Sequence, residues 1–304
     1  MIPDAKRISI LLLTGYLGAG KTTLLNHLLG LNSIRSQNPA LIINEFGSLG
    51  VDGSLIAPGD WTIFELNKGS IFCICLKTDF LQTLETIALQ TRPGLLIVEA
   101  TGVAETRDLL TMAEDPSLKN AFQVRGNICI VDALNFIKVA PMLKAAREQV
   151  MRADALIINK SDLVPEEELS RLREVLHSLN AGAPMAAVQY GRIDEDFIHT
   201  LRHHPRGGEL ITEPPAPLFS LSIERRNRVN RGMFLKIMEE FRHNILRLKG
   251  RVDFGDGPRF CEVICDRFTE RPDTSGRAGT AFVLIAWNTR QAPMQEALES
   301  VFED

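Results

Sequence analysis

The sequence predicts an α/β protein with a doubly wound, mostly parallel sheet, followed by a smaller α+β domain. Short, continuous runs of Ile, Leu and Val alternate with stretches of helical spacing in the first part of the chain. Such runs are typical of strands that are buried on both faces of a parallel sheet. Pro and Gly then accumulate between Pro205 and Pro217, where the interior of a helix or strand is not expected. We therefore expect a first domain at residues 1–204, a linker at 205–217 and a second domain at 218–304.

In the first domain, predicted strands alternate with predicted helices. The strands are expected at Ile8–Thr14, Ala40–Asn44, Gly94–Glu99, Asn127–Asp132 and Ala155–Asn159. The helices are expected at Thr22–Leu31, Asp79–Thr91, Thr106–Asp115, Met142–Met151 and Pro165–Leu179. This order places helices on both faces of an open sheet and ligands at the carboxyl ends of its strands.

The second domain combines fewer helices with strands. Strands are expected at Leu218–Glu224, Phe260–Phe268 and Thr280–Asn288, and helices at Arg231–Leu248 and Pro293–Phe302. The helix from Arg231 is expected to stop at Gly250, because Gly accepts positive φ beyond a helix end. Arg247 and Lys249 would then place cations near the last carbonyl groups of this helix.

Composition and charge exclude several classes of protein. The chain has 304 residues, of which 45% are hydrophobic and 24% charged, with a formal net charge of −4. This balance offers no basic field for nucleic acid or an anionic membrane, and no apolar run reaches the roughly 18–20 residues of a membrane helix. Five cysteines and no secretion signal indicate reduced thiols. We expect a cytoplasmic protein without nucleic-acid or membrane partners.

A phosphate-binding motif follows the first predicted strand. The segment Gly15–Thr22 fits the pattern G-x-x-x-x-G-K-[ST] and leads into a predicted helix, as in P-loop NTPases. Lys21 would approach the β- and γ-phosphates, and the Thr22 hydroxyl is an expected Mg²⁺ ligand. The alternative is an ordinary Gly-rich turn. The expected nucleotide contacts are Gly15, Gly18, Ala19, Gly20, Lys21, Thr22 and Thr23.

A base-recognition motif, Asn159-Lys160-Ser161-Asp162, closes the last predicted strand of the first domain. The Asp162 carboxylate can accept both N1–H and N2–H of guanine, a donor pair that adenine lacks. Asn159 would meet the other edge of the base, and the Lys160 stem its face. The motif favours GTP and GDP over ATP. The alternative is that Asp162 caps the turn before the helix Pro165–Leu179.

Three carboxylates are candidates for the catalytic site besides Lys21. Glu99 ends a predicted strand and would hold Mg²⁺, directly or through water, while the Gly102 N–H senses the γ-phosphate. Glu45 and Asp52 lie in a loop that would cross the phosphates, where either could reach Mg²⁺ or orient water. Acids at strand ends also serve as helix caps or are solvated turn residues, which is the alternative for all three. Without a glutamine or arginine at a fixed offset, hydrolysis is expected to be slow.

Together with Val131-Asp132-Ala133 and Glu65-Leu66, these motifs resemble the CobW-like GTPases, relatives of the nickel-handling HypB and UreG proteins. The resemblance spans the chain, since the segment Leu246–Gly250 and the tail after it are similar to the C-terminal domain of this family. It implies a GTPase that delivers or inserts a metal or metal cofactor, such as a corrinoid-related one, into a client metalloprotein or corrinoid protein. A nucleotide-dependent homodimer is a further expectation.

The chain departs from the family in its cysteines. The family usually carries C-x-C-C after the Glu-Leu pair, whereas here Cys73 and Cys75 form C-x-C. A pair of thiolates leaves the tetrahedral shell of Zn²⁺ incomplete, so Zn²⁺, Co²⁺ or Ni²⁺ would need another donor, such as Asp79, Glu45 or a partner group. The alternative is that both cysteines are apolar core residues, and that the protein is a metal-free, nucleotide-gated interaction switch. His203 and His204 are expected in a solvated loop.

Overall fold

The computed structural model describes residues 7–44, 56–66, 74–100, 110–111, 115, 118–141, 143–204, 218–264, 267–287 and 289–303. The described residues up to 204 belong to one compact unit and those from 218 onward to another. The boundaries predicted around the linker 205–217 lie outside the described residues and stay a prediction. Within the described part of the chain, no helix has both the length and the apolar character needed to cross a membrane.

The first unit is built on a seven-stranded sheet whose neighbouring strands are parallel, in the order β3-β2-β4-β1-β5-β6-β7. The strands are β1 Ile8–Thr14, β2 Ala40–Asn44, β3 Thr62–Leu66, β4 Leu95–Glu99, β5 Phe122–Asp132, β6 Ala155–Asn159 and β7 Met185–Ala187. The predicted doubly wound parallel sheet is confirmed. The edge strands β3 and β7 were not predicted from the sequence.

Helices cover both faces of this sheet. They are α1 Lys21–Gly30, α2 Asn32–Arg35, α3 Ile74–Thr86, α4 Phe136–Val139, α5 Lys144–Met151, α6 Glu166–Leu179 and α7 Glu195–Thr200. The helix predicted at Asp79–Thr91 starts earlier, as α3, and continues as a π-helical turn at Ile87–Thr91. The helix predicted at Thr106–Asp115 lies largely outside the described residues, among which Leu110 and Thr111 are helical.

Alternate side chains of β1 enter separate hydrophobic cores, as expected for a strand buried on both faces. Ile10 and Leu12 pack in the core that contains Phe80 of α3. Leu11 packs in the opposite core with Leu24 of α1. The strand is thereby fixed from both sides, and the loop that follows it starts from a rigid position.

The second unit is an antiparallel sheet with two helices. The elements are β8 Leu218–Arg225, α8 Arg231–Glu240, β9 Ile245–Asp253, β10 Pro258–Ile264, β11 Arg267–Pro272, β12 Thr280–Trp287 and α9 Gln291–Glu299. The strand order is β11-β10-β9-β12-β8, which confirms the predicted α+β class. Phe234 of α8 is the centre of an aromatic cluster, with ring centroids 5.5 Å from Phe254, 6.3 Å from Phe268 and 6.1 Å from Phe282.

The prediction of one helix over Arg231–Leu248 was wrong. Helix α8 ends at Glu240, and Ile245–Asp253 forms the central strand β9, which pairs with β10 and β12. The segment alternates polar and apolar residues with a period of two after Leu246, a pattern typical of a strand. The strand predicted at Phe260–Phe268 is instead two strands, β10 and β11, which pair antiparallel from Ile264 and Arg267 outward.

Gly250 lies inside β9 and does not terminate a helix as predicted. Its φ is +151°, and a Cβ at this position would lie 2.3 Å from the Ala281 carbonyl oxygen and 2.4 Å from Phe282 Cα. Both atoms belong to the backbone of β12 and have no freedom to rotate away. The close approach of two central strands therefore requires Gly at position 250.

We predict that Gly250→Ala lowers the free energy of unfolding by about 2–3 kcal/mol, because strained φ adds to the backbone clash. Gly257→Ala is the matched control, since Gly257 also has positive φ, +110°, but a Cβ added there would meet no atom within 4 Å. It should cost only about 1 kcal/mol. Urea unfolding of both variants, followed by circular dichroism, measures the difference. Equal losses would contradict the steric explanation.

Candidate nucleotide-binding site

The segment between β1 and α1 forms a tight loop made possible by glycines with positive φ. The φ angles are +136° at Gly15, +74° at Gly18 and +107° at Gly20. A Cβ on Gly20 would lie 2.3 Å from Asn159 Nδ2, so a side chain here would displace either the Asn159 amide or the loop. The backbone can thus wrap closely around an anion, which is the geometry that a polyphosphate requires.

Helix α1 presents its amino end to this loop. Gly20 is the N-cap and supplies no side-chain acceptor, and the intrahelical bond nearest the start runs from Leu24 N to Gly20 O, at 2.9 Å. The N–H groups of Lys21, Thr22 and Thr23 therefore face the loop region together with the positive end of the helix dipole. This arrangement fits a phosphate group.

The Lys21 side chain is 7% exposed and folds over the loop. Its Nζ donates to the Gly15 carbonyl oxygen at 2.8 Å and to the Tyr16 carbonyl oxygen at 3.3 Å. The ammonium group consequently lies within the ring of loop backbone. This is the position from which it can approach the terminal phosphates of a nucleotide.

Thr22 and Glu99, the expected Mg²⁺ ligands, are in direct contact. Thr22 Oγ1 donates to Glu99 Oε1 at 2.9 Å. Glu99 ends β4, is 5% exposed and is aligned with Leu13 of β1 in the parallel register. A hydroxyl beside a buried carboxylate gives the hard oxygen donors that Mg²⁺ prefers, so this donor set fits the ion. Three other expected contributors, Glu45, Asp52 and Gly102, lie outside the described residues.

Asn159 holds two loops together. It is 2% exposed; its Nδ2 donates to the Ala19 carbonyl oxygen at 2.9 Å and its Oδ1 accepts from Gly191 N at 2.9 Å. We expected this side chain to meet an edge of the base. Its described bonds instead position the phosphate loop and the loop after β7, and its contact with the base stays a prediction.

Lys160 is held by an acid that the sequence analysis did not select as a site residue. Lys160 Nζ lies 2.8 Å from Asp132 Oδ2, and Asp132 is 2% exposed. Asp132 also accepts from Leu134 N at 2.9 Å and from Asn135 Nδ2 at 3.0 Å. Its position at the end of β5, aligned with Asn159 of β6, is the signal that could have identified it.

The Asp162 carboxylate faces solvent on the short turn Ser161–Leu163. Among the described residues, no hydrogen bond or ion pair engages it. Asp162 makes no capping bond to the turn before α6 among these residues, and the N-cap of α6 is Pro165, without a side-chain capping bond. The carboxylate is therefore accessible to a ligand at the carboxyl end of β6.

A buried polar chain supports the strand beneath the phosphate loop. Thr14 Oγ1 donates to Asn127 Oδ1 at 3.0 Å, and Asn127 N donates to Asp154 Oδ2 at 2.8 Å. The same Asp154 oxygen lies 2.8 Å from His203 Nδ1, and Asp154 Oδ1 accepts from His204 N at 2.9 Å. The prediction that both histidines belong to a solvated loop was wrong for His203, whose side chain is only 10% exposed.

The predicted transition-metal ligands fall largely outside the part of the chain that the structure describes. Cys73 lies beyond the described residues, and Cys75 is placed only as part of the backbone of α3. In the described ranges, no three His, Cys, Asp or Glu side chains form a metal site. Cys129 and Cys261 are buried, and burial raises the pKa of each thiol to about 12. These two thiols are consequently protonated and poorly reactive near neutral pH.

We predict that Asn159→Ala weakens nucleotide binding by roughly tenfold, or about 1.4 kcal/mol, because it releases both loops. The control is Asn180→Ala, which removes a buried amide bonded to the Val150 and Ala153 carbonyl oxygens, away from the phosphate loop. Both variants should lose about 1–3 kcal/mol of stability. Calorimetric titration with GDP separates them, and equal affinities would argue against the positioning role.

The comparisons with known proteins agree on one protein family. The family model described as "CobW/HypB/UreG, nucleotide-binding domain" matches residues 9–187. Zinc chaperone CobW of Sinorhizobium sp is 26% identical over 330 aligned positions, covering 92% of each chain. Zinc chaperone YjiA of Escherichia coli is 35% identical over 197 positions, covering 62% of this chain and 59% of its own length.

Among solved structures, Zn(II)-bound YjiA GTPase from E. coli aligns with a TM-score of 0.48 and 22% identity, covering 98% of this chain and 100% of that one. HypB from Helicobacter pylori in complex with nickel aligns with a TM-score of 0.46 and 20% identity, covering 63% of this chain and 84% of that one. The family match extends over more than half of the chain, from β1 through β7, and includes the phosphate loop and the base-recognition motif. The chain belongs to the CobW/HypB/UreG family of P-loop GTPases.

Proposed function

We propose that this chain binds GTP and GDP with Mg²⁺, hydrolyses GTP slowly, and uses the nucleotide state to control delivery of a metal ion to a client metalloprotein. The observation that carries the nucleotide assignment is the Asn159 bridge from Ala19 O to Gly191 N. It joins the phosphate loop to the loop after β7, and Asn159 itself ends β6 directly before the turn that carries Asp162. A cradle for phosphates and an exposed carboxylate for the base are thus fixed in one rigid frame.

Each group has a defined task in this proposal. The loop amides and Lys21 bind the β- and γ-phosphates, and Thr22 with Glu99 would hold Mg²⁺, with Glu99 acting directly or through water. Bound Mg²⁺ would neutralise charge on the phosphate oxygens. Asp162 accepts hydrogen bonds from guanine, and the Lys160 stem lies along the base. Glu45 or Asp52 would orient the attacking water, and Gly102 would contact the γ-phosphate.

The metal cargo is a separate part of the proposal. Two of the relatives are named zinc chaperones, and these names favour Zn²⁺ as the cargo. Co²⁺ and Ni²⁺ are the alternatives, and the solved HypB structure is a complex with nickel. We propose Cys73 and Cys75 as the thiolate ligands, with further donors from this chain or from the client. A corrinoid protein is the narrower alternative for the client. The competing function is a nucleotide-gated switch without metal, which the shortened cysteine motif favours.

We predict that Asp162→Asn lowers GTP affinity at least about tenfold and raises XTP affinity, because an amide can donate to the C2 carbonyl of xanthine but cannot accept both guanine donors. Asp196→Asn on α7 is the control for loss of an exposed carboxylate. Competition binding with GTP, XTP and ATP measures the change. Unchanged base preference would remove Asp162 from the proposal, and a wild-type protein that takes up neither GTP nor GDP with Mg²⁺ would overturn it.

We predict that at about pH 8 a thiol reagent modifies all five cysteines in denaturant but no more than three in the folded protein. Cys129 and Cys261 stay protonated, because burial raises the pKa of each to about 12. Since the pKa is raised, raising the pH toward that value should progressively increase the thiolate fraction of both cysteines, and with it their reactivity.

The same assay tests the metal. Zn²⁺ should protect two further thiols, chelator should restore them, and the Cys73→Ser/Cys75→Ser variant should show no protection. The comparison is repeated with GDP and with a non-hydrolysable GTP analogue, since nucleotide-controlled delivery requires the protection to differ between them. If Zn²⁺ does not change the number of modified thiols in either nucleotide state, the metal-free switch is favoured.

A further inference from the structure

The loop after β7, residues 188–192, is fastened to the loop after β6 at two points. The Val188 carbonyl oxygen accepts from Ser161 N at 3.2 Å and from Ser161 Oγ at 3.0 Å. Gly191 N donates to Asn159 Oδ1 at 2.9 Å. These bonded residues flank Lys160 on one loop and Tyr190 on the other. Lys160 and Tyr190 therefore start from the same junction between the two loops.

Both residues at this junction have a left-handed backbone, with φ of +62° at Lys160 and +52° at Tyr190. A bulky side chain is uncommon in this conformation, and it persists only where the surrounding structure imposes it. The bonds on either side of each residue impose it here. Burial of the ring does not compensate, because Tyr190 is 68% exposed. An aromatic side chain held in water by a strained, fastened loop indicates a ligand contact.

The junction lies beside both halves of the proposed nucleotide site. The Asn159 side chain connects it to Ala19 of the phosphate loop. A Cβ on Gly191 would lie 2.8 Å from Leu24 N, so the residue after Tyr190 packs on the first turn of α1. Asp162 follows Lys160 by two positions on the turn Ser161–Leu163. The residues that flank Tyr190 thus contact both the loop that carries Asp162 and, through Asn159 and α1, the elements of the phosphate cradle.

We propose that Tyr190 is a nucleotide-binding residue whose ring lies against the purine while Asp162 reads the edge of the base. This inference rests on the proposed function, because it assigns a further contact in the same site. Aromatic rings stack on any purine face and do not discriminate between hydrogen-bonding patterns. Tyr190 therefore contributes affinity for the base, whereas the choice of guanine belongs to Asp162.

The test is calorimetric titration of the full chain with GDP and GTP in Mg²⁺, using three substitutions at one position. Tyr190→Ala and Tyr190→Gly should both raise Kd by about five- to a hundredfold, the range expected for loss of one base–aromatic stack. Tyr190→Gly accepts the left-handed backbone without strain, so a loss of affinity that both variants share is not explained by backbone strain at position 190. Tyr190→Phe keeps the ring and should stay within about twofold of wild type.

Leu89→Ala is the matched control, since Leu89 is about as exposed as Tyr190, at 66%, and lies on the π-helical turn Ile87–Thr91, so its loss should leave Kd unchanged. The preference for GTP over ATP should survive in every variant that retains Asp162. If wild type binds GDP and the Ala and Gly variants bind equally well, the stacking role is overturned while the proposed function stands. If Tyr190→Phe is as weak as Tyr190→Ala, the ring is not the contact. If wild type binds no guanine nucleotide, both proposals fail together.

Discussion

The Asn159 side chain is the interaction on which the geometry of the candidate site depends. Its amide lies at the carboxyl end of β6 and is nearly inaccessible to water. Because a buried amide is costly without partners, its bonds to Ala19 and Gly191 are strongly favoured once the sheet forms. The phosphate loop and the two loops that would surround the base are thereby held at fixed separations.

The parallel sheet supplies the frame for this arrangement. Leu13 is aligned with Glu99 of the neighbouring strand, and Asp132 is aligned with Asn159. The ends of β4, β5 and β6 thus deliver Glu99, Asp132 and Asn159 to the same edge, although these residues are far apart in sequence. Burial of β1 on both faces makes this edge rigid, so the loops can differ in sequence while the strand ends keep their positions.

Much of the fold could be predicted from the sequence, because the sequence patterns that indicate it are local. The buried strands, the glycine-rich loop and the Asn159–Asp162 motif each occupy a few consecutive residues. The strand β9 was mistaken for the end of a helix, because pairing on both sides with β10 and β12 decides its conformation. The short strand β7 was missed because three residues carry too little periodicity.

The candidate site could be predicted from the sequence to a similar extent as the fold. Lys21, Thr22, Glu99 and the base-recognition motif could be selected by residue type and spacing. The partners that position them could not, because these contacts connect distant segments. The ion pair of Asp132 with Lys160 spans 28 positions, and the bond of Gly191 to Asn159 spans 32. The conformation of Tyr190 is visible only in the backbone angle.

The polar chain from Thr14 through Asn127 and Asp154 to His203 has a practical consequence for dissecting the protein. The buried carboxylate of Asp154 is satisfied in part by the last described residues of the first unit, His203 and His204. A fragment truncated just before them would leave that carboxylate short of partners in the interior, directly behind the strand that leads into the phosphate loop. An excised nucleotide-binding fragment should therefore retain its chain through position 204.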